Sequence, residues 1–496
     1  MKRRHFLELA AVAPLLASCN TSNSSVPNPG GLPGTPRLPA GTAVSDLRYG
    51  KFPLPPAFPG YDPAGDAAAL VLNYVSPAAS PVPGTLATGS YASNERYVIK
   101  VPTAWNGKLI VAGTPATRSE FANEGIWGDF ALAGGYAFAS SNKGINYNAI
   151  LETLQASPNP KKAFPIPFDY VVASTLHLEV AEYSYRLGAL NQSGTIADWN
   201  RDYATLVKAA QQFLATYFGK APTRTYAVGL SNGGAQVRSL LENYGALVDG
   251  GVDWAGVYWS TALNILTYMP KFLAAMQTYV ASNFTDTASA AAIVAAGYPA
   301  DIAGAAGHPS LWYEYYANQP SFYHDLTVFE YGLLLDPAAT SSVPGGCTPN
   351  PANPAGLPGT CNATGIALPA NRTTYVPSSQ ANDVIATFSH TGNIQKPLVS
   401  ITGSADTFVT TANNATPYLN AVKASGKGSQ YWQYVVQGGT HVDTFANPAW
   451  GYGLQSQLPF AWAAFNQLVA IVENGFAPPS PATQQPVATP SQIVAA

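Results

Sequence analysis

The sequence predicts an α/β protein: a mostly parallel sheet, helices on both of its faces, and a large insertion late in the chain. Three observations predict it. Short apolar runs of strand length alternate with amphipathic segments of helical period. One strand-to-helix junction carries the frame Gly229-x-Ser231-x-Gly233. A block at 261–396 breaks the alternation before it resumes.

Taken in order, residues 1–18 read as an address. Lys2-Arg3-Arg4-His5-Phe6-Leu7 resembles a twin-arginine export signal. The apolar run Leu9–Ser18 is half the roughly 20 helical residues needed to cross a bilayer. It ends Leu16-Ala17-Ser18-Cys19, which resembles the lipobox of bacterial lipoproteins and implies lipidation at Cys19. The expectation is an exported protein, periplasmic or at the cell surface, whose membrane contact is the lipid anchor alone. No later segment reaches 18 uninterrupted apolar residues. Residues 19–45 are Ser, Asn, Pro, Gly and Thr with few large apolar groups, and read as a flexible tether. Residues 477–496 read as a flexible tail.

The core is expected over 46–260 and 397–476. Its strand candidates are Tyr97–Val101, Lys108–Ala112, Tyr136–Ser140, Thr225–Leu230, Val252–Tyr258, Leu398–Thr402 and Tyr431–Val436. Several are continuous apolar runs, as in strands covered on both faces. Asp202 is the expected cap of a helix running to Tyr217, with Leu206, Ala210, Phe213 and Tyr217 at helical spacing and Gly219 just past its end. A second helix follows Ser231, with Val237, Leu240, Leu241 and Tyr244 on one face and Gly245 as its stop.

The block at 261–396 carries helical patches at Ile265–Ala281 and Thr287–Ala296, then the aromatic run Trp312-Tyr313-Glu314-Tyr315-Tyr316. It reads as a cap over the carboxyl edge of the sheet, or else as an independent second domain. Trp312, Tyr315 and Tyr316 are expected to bind substrate, since apolar pockets with few polar groups hold small organic ligands. A Pro/Gly loop follows with Cys347 and Cys361. With Cys19 assigned to lipid in an exported protein, these two thiols are expected to pair.

Composition removes other classes. Charged residues are 10%, against a usual figure of about 25%. The net charge of −3 speaks against a nucleic-acid binder that works by neutralising phosphates. Three Cys cannot build a disulfide scaffold. His177-Leu-Glu179 reads as a solvated helix face rather than a metal pair. Without H-E-x-x-H, a Walker lysine loop, C-x-x-C or G-x-G-x-x-G, no metal, nucleotide or flavin is expected.

The chemistry is carried by Thr225-Tyr-Ala-Val-Gly-Leu-Ser231-Asn-Gly-Gly-Ala. A Ser at such an elbow takes a strained backbone, and the flanking Gly residues remove side chains that would collide. A Ser hydroxyl needs a base to take its proton, and the base needs an acid to orient it. Four His follow Ser231: 308, 324, 390 and 441. His441 sits in Gly-Gly-Thr-His just beyond the last strand, where the others fit worse. Asp406 follows the penultimate strand, with Asp443 as the rival acid. The expected triad is Ser231, Asp406 and His441. The oxyanion donors are expected to be the backbone N–H of Asn232 and that of Gly113 or Thr114.

At Gly229–Gly234 and Gly403–Asp443 the chain resembles α/β-hydrolase serine esterases. Gly-Leu-Ser-Asn-Gly-Gly is similar to the elbow of feruloyl esterases and polyhydroxybutyrate depolymerases. His441-Val-Asp-Thr-Phe resembles the His end of tannases and 3-hydroxybutyrate oligomer hydrolases. Where tannase-type enzymes often link Cys residues beside Ser and His, this chain has Leu230, Asn232, Thr440 and Val442. The resemblance implies the α/β-hydrolase fold and an acyl-enzyme on Ser231. The expected substrate is a small-molecule or oligomeric carboxylic ester, neutral or aromatic, and no cofactor is expected. A serine peptidase of the same fold and a non-catalytic surface binding protein are the other readings.

Overall fold

The computed structural model describes residues 38, 40–52, 70–71, 74–90, 96–116, 118–144, 196–304, 310–318, 323–336, 373–446, 451–476, 478 and 484–494. Its strands are β1 (Thr42–Val44), β2 (Gly84–Ser90), β3 (Arg96–Pro102), β4 (Lys108–Gly113), β5 (Ala137–Ser141), β6 (Arg224–Leu230), β7 (Gly250–Trp254), β8 (Leu398–Gly403), β9 (Tyr431–Val436) and β10 (Gln485–Val487). They form one sheet in the order β1-β2-β3-β5-β4-β6-β7-β8-β9-β10. β1, β2, β3 and β5 pair antiparallel in succession, and every pairing from β5 to β10 is parallel.

The helices are α1 (Asp129–Ala133), α2 (Ile196–Tyr217), α3 (Asn232–Asn243), α4 (Ile265–Ala281), α5 (Thr287–Ala295), α6 (Leu311–Asn318), α7 (Tyr323–Leu335), α8 (Ser379–Ala386), α9 (Thr416–Ala424), α10 (Leu458–Asn474) and α11 (Ser491–Val494). Side chains alternate across a strand, so one strand feeds two cores. Leu109 and Val111 of β4 join Tyr203, Leu206 and Phe213 of α2 and Leu240 and Leu241 of α3 on one face. Ile110 and Ala112 join Phe460, Phe465 and Leu468 of α10 on the other. This is the α/β-hydrolase fold. β5 and β6 lie on opposite sides of β4. The chain therefore reverses direction across the sheet there, and a crevice opens at the carboxyl ends of these strands.

Local differences from the sequence reading have physical causes. α2 begins at Ile196, so Asp202 lies inside it rather than capping it; Ile196 and Trp199 extend its buried face by two turns. Gly219 follows it in a left-handed conformation, φ 72°, as a stop. The strand expected to reach Tyr258 ends at Trp254, because Ala255 turns the chain with φ 47°. Within the segment read as a flexible tail, Gln485–Val487 adds a strand to β9. It contains Pro486, which a sheet tolerates at its edge. Thr42–Val44, in the segment read as tether, pairs with β2 at the other edge. α4 and α5 start at side-chain caps, Asn264 accepting from Leu266 N at 3.0 Å and Asp286 from Ser289 N at 2.8 Å.

A buried ion pair ties α3 to the sheet. Arg238 Nε donates to Asp253 Oδ2 of β7 at 2.7 Å, and both residues are fully buried. Asp253 also accepts from Ser400 Oγ at 3.0 Å and from Gly256 N at 2.7 Å, and the guanidinium lies 4.2 Å from the Tyr418 ring centroid. Removing one partner leaves an uncompensated charge in a dry site. Asp253→Ala should lower unfolding free energy by about 3–5 kcal/mol in urea titrations. A loss under about 1 kcal/mol would show that the pair does not hold α3 in place.

Candidate active site

Ser231 occupies the junction between β6 and α3 with φ 59° and ψ −119°. A non-Gly residue there is strained, and it persists only when its surroundings hold it. Its N–H donates to Trp254 O at 2.9 Å, and its carbonyl accepts from Ala235 N at 3.0 Å and Val257 N at 3.2 Å. Close backbone approach explains the two glycines of the frame. A Cβ on Gly229 would meet Gly233 O at 2.2 Å, and one on Gly233 would meet Gly113 O at 2.2 Å.

Asp406 lies beyond β8 and is fully buried. Its Oδ1 accepts from Phe408 N and Val409 N, both at 2.8 Å, and its Oδ2 lies 2.8 Å from His441 Nδ1. A carboxylate acceptor puts the imidazole proton on Nδ1 and leaves Nε2 as a base. His441, beyond β9, and Ser231 line one cleft together with Leu70, Pro115, Ala116, Arg118, Leu230, Phe408, Val442, Thr444 and Phe445. The rival acid has another task. Asp443 accepts from Ser456 Oγ, from Gln457 N at 2.6 Å and from Leu458 N at 3.2 Å, and so caps α10. Burial still pushes its carboxyl up to about 6.

The oxyanion expectation divides. Asn232 begins α3, so its N–H belongs to the first turn, which has no intrahelical acceptors. Thr114 is a correction: its N–H donates to Gln236 Oε1 at 3.1 Å and its hydroxyl to Ser141 O. Gly113 is the last residue of β4, packed against Gly233 and paired with Gly229. The next residues, Pro115 and Ala116, reach the cleft wall. Ala116 has φ 41°, and Lys143 Nζ donates to its carbonyl. Lys143 lies 4.5 Å from the Trp199 ring centroid. The local sequence does not mark this contact, because it joins the loop after β4 to the turn after β5.

The aromatic expectation also needs correction. Trp312 is packed inside the insertion, 5.2 Å from Phe272 and 6.2 Å from Tyr298 between ring centroids. Its indole N–H donates to Pro299 O. Tyr315 stands edge-on to Phe445, behind the cleft wall. Tyr316 falls within α6, and its side chain lies outside the described residues. The rings at the cleft are Phe408 and Phe445, stacked at 5.2 Å, with Phe408 5.7 Å from His441. They flank the acid and the base in sequence, which is the signal that could have found them. Cys19, Cys347, Cys361, His177 and Glu179 lie outside the described residues. No described helix is long and apolar enough to cross a membrane.

Two histidines set aside as triad members have structural work. His324 of α7 lies parallel to Phe408 at 4.9 Å, and its Nε2 is 2.8 Å from Thr407 O beside Asp406. His390 Nε2 faces Ala235 O at 3.2 Å while its Nδ1 accepts from Trp259 N at 3.1 Å.

No family model matches the chain, and no curated protein matches it significantly. Its structure is similar to feruloyl esterase B from Aspergillus oryzae, at 12% identity over 93% of this chain and 90% of that one, TM-score 0.49. It is similar to tannin acyl hydrolase from Aspergillus niger, at 14% identity over 80% of each chain, TM-score 0.39. It is similar to the rice cell wall degrading esterase LipA from Xanthomonas oryzae, at 12% identity over 88% of this chain and 98% of that one, TM-score 0.38.

The buried His324 makes the insertion sensitive to acid. Burial lowers it from the usual 6.5 to about 4, so the folded protein keeps it neutral. Above pH 6.5 neither state binds the proton. Between 6.5 and about 4 the unfolded chain takes a proton that the folded one refuses, so stability falls as pH falls. The slope approaches about 1.4 kcal/mol per pH unit. His324→Phe should remove this part of the decline. In urea titrations of both proteins across that window, the wild type should lose stability relative to the variant as pH falls; parallel curves would overturn the assignment.

Proposed function

We propose that the chain is an exported serine hydrolase that cleaves a carboxylic ester through an acyl-enzyme on Ser231. One observation carries the reading. A strained Ser at a strand-helix elbow shares a cleft with a His whose Nδ1 lies 2.8 Å from a buried Asp.

Each group has a step in this reading. Ser231 Oγ attacks the ester carbonyl carbon while its proton passes to His441 Nε2. Asp406 holds the imidazole in the tautomer that can accept it and stabilises the imidazolium that forms. The carbonyl oxygen becomes an oxyanion and receives hydrogen bonds from the Asn232 N–H and from a second backbone N–H in the stretch that follows β4. Collapse expels the alcohol, which takes the proton from His441. Water, deprotonated in turn by His441, then releases the carboxylic acid and restores Ser231. The same steps serve an amide, so a peptidase of this fold is the competing outcome.

The substrate follows from the wall. Leu70, Leu230, Val442, Phe408 and Phe445 present apolar surface, and the buried Arg118 adds one cationic residue to the wall. This supports a neutral or aromatic acyl group. Export and membrane anchoring through Cys19 complete the reading.

Ser231→Ala should remove ester turnover while leaving thermal unfolding nearly unchanged. The test is a panel of short aryl esters, methyl ferulate, hydroxybutyrate oligomers and aminoacyl amides. Amide turnover without ester turnover would establish the peptidase instead, and near wild-type activity in Ser231→Ala would refute both. Cys19→Ser should move the protein from the membrane fraction to the soluble one; unchanged fractionation would refute the anchor.

A further inference from the structure

We propose that Tyr331 is a positioning residue for the oxyanion hole: the insertion holds Asn232 by its side chain and so fixes the backbone N–H that receives the oxyanion. This rests on the catalytic reading of Ser231 above.

The geometry is a closed ring of contacts. The Tyr331 hydroxyl accepts from Asn232 Nδ2 at 2.9 Å and donates to Asn232 Oδ1 at 3.0 Å. One phenol therefore satisfies both ends of a buried amide. Tyr331 lies on α7, and its ring packs at 5.2 Å on Trp259, which is fully buried. Trp259 N donates to His390 Nδ1, and the other ring nitrogen of His390 returns to Ala235 O on α3. The path from Asn232 through Tyr331, Trp259 and His390 thus comes back to the helix that Asn232 begins. Burial lowers His390 to about 3, so it stays neutral and keeps an acceptor nitrogen for Trp259.

The ring has a reason to exist. Ser231 sits in a strained conformation, and its own N–H and carbonyl are held by neighbouring backbone. Asn232 is the next residue, where relaxation of that strain would first move the N–H. Its side chain is the handle the fold can grip, and Tyr331 grips it. Tyr331 is not among the residues that line the cleft, so its influence on the reaction passes through Asn232. Oxyanion donors act only when placed in advance, and a small displacement weakens them.

Tyr331→Phe keeps the ring against Trp259 and removes the hydroxyl. With an activated aryl ester, kcat should fall about tenfold while KM stays within about twofold, as for an interaction made in the transition state. Asn232→Ala should show a similar fall, and the double variant should be little worse than either, because the pair acts as one unit. Labelling of Ser231 by a fluorophosphonate, whose addition also uses the oxyanion hole, should slow in parallel. Absence of label on wild-type Ser231 would refute the catalytic reading itself. Normal wild-type labelling with an unchanged rate and kcat in Tyr331→Phe would refute the role of Tyr331 alone. So would a rise in KM at unchanged kcat, which would make Tyr331 a substrate contact.

Discussion

The structure depends on how closely three stretches of backbone approach one another at the end of β6. Gly233 lies so near Gly113 and Gly229 that a single Cβ on any of the three would meet backbone atoms at 2.7 Å or less. That contact lets α3 begin directly over the strand ends. It also presses Ser231 into a conformation that a longer turn would not need. The strain is held from the far side by Trp254, from β7, and by Arg238 on the buried Asp253. The geometry of Ser231 and the packing of the sheet are therefore one problem. A change that loosens α3 also relaxes Ser231.

Asp406 and His441 are built on the same sheet as Ser231 but by different means. Asp406 and His441 come from turns after β8 and β9, adjacent parallel strands in register from Leu398 against Tyr431 to Gly403 against Val436. Parallel pairing brings both turns to the same edge, so the two side chains meet without long loops. The carboxylate is desolvated, and three hydrogen bonds replace its water: two backbone N–H groups on one oxygen and His441 on the other. Phe408 lies beside the pair, 5.7 Å from the His441 ring, and His324 of α7 stacks on it at 4.9 Å. The insertion thus supplies part of the apolar wall that keeps water from the acid.

Much of this was legible in the sequence because it is local. The elbow reads from Gly229-x-Ser231-x-Gly233 between an apolar strand and an amphipathic helix. Asp406 and His441 read from chain order, because each follows a strand whose apolar run is unmistakable. What was not legible depends on contacts far apart in sequence. Thr114 looked available as a donor until Gln236, on α3, took its N–H. Trp312 looked like a substrate contact because it sits in an aromatic run, yet composition does not say which way a run faces, and it turns into the insertion. β2 and β10 escaped notice for a simpler reason. Gly84–Ser90 is poor in large apolar residues and Gln485–Val487 carries a proline, so neither shows the pattern of a buried strand.

The position of the insertion explains its double task. It leaves the sheet after β7 and returns at β8, and these strands lie next to β6 and β9 in the sheet. Its helices are thus tethered on the side of the elbow where the triad forms. From there α7 reaches the site at two points, Tyr331 at Asn232 and His324 at Phe408 and Thr407. One helix touches both Asn232, the residue after Ser231, and the turn that carries Asp406. A rigid shift of α7 would disturb both at once. Substrate that wedges against Phe408 or Phe445 presses on rings backed by His324 and Tyr315, both from the insertion. Under the proposed reading, fit in the cleft is in this way coupled mechanically to the alignment of the groups that would carry out the reaction.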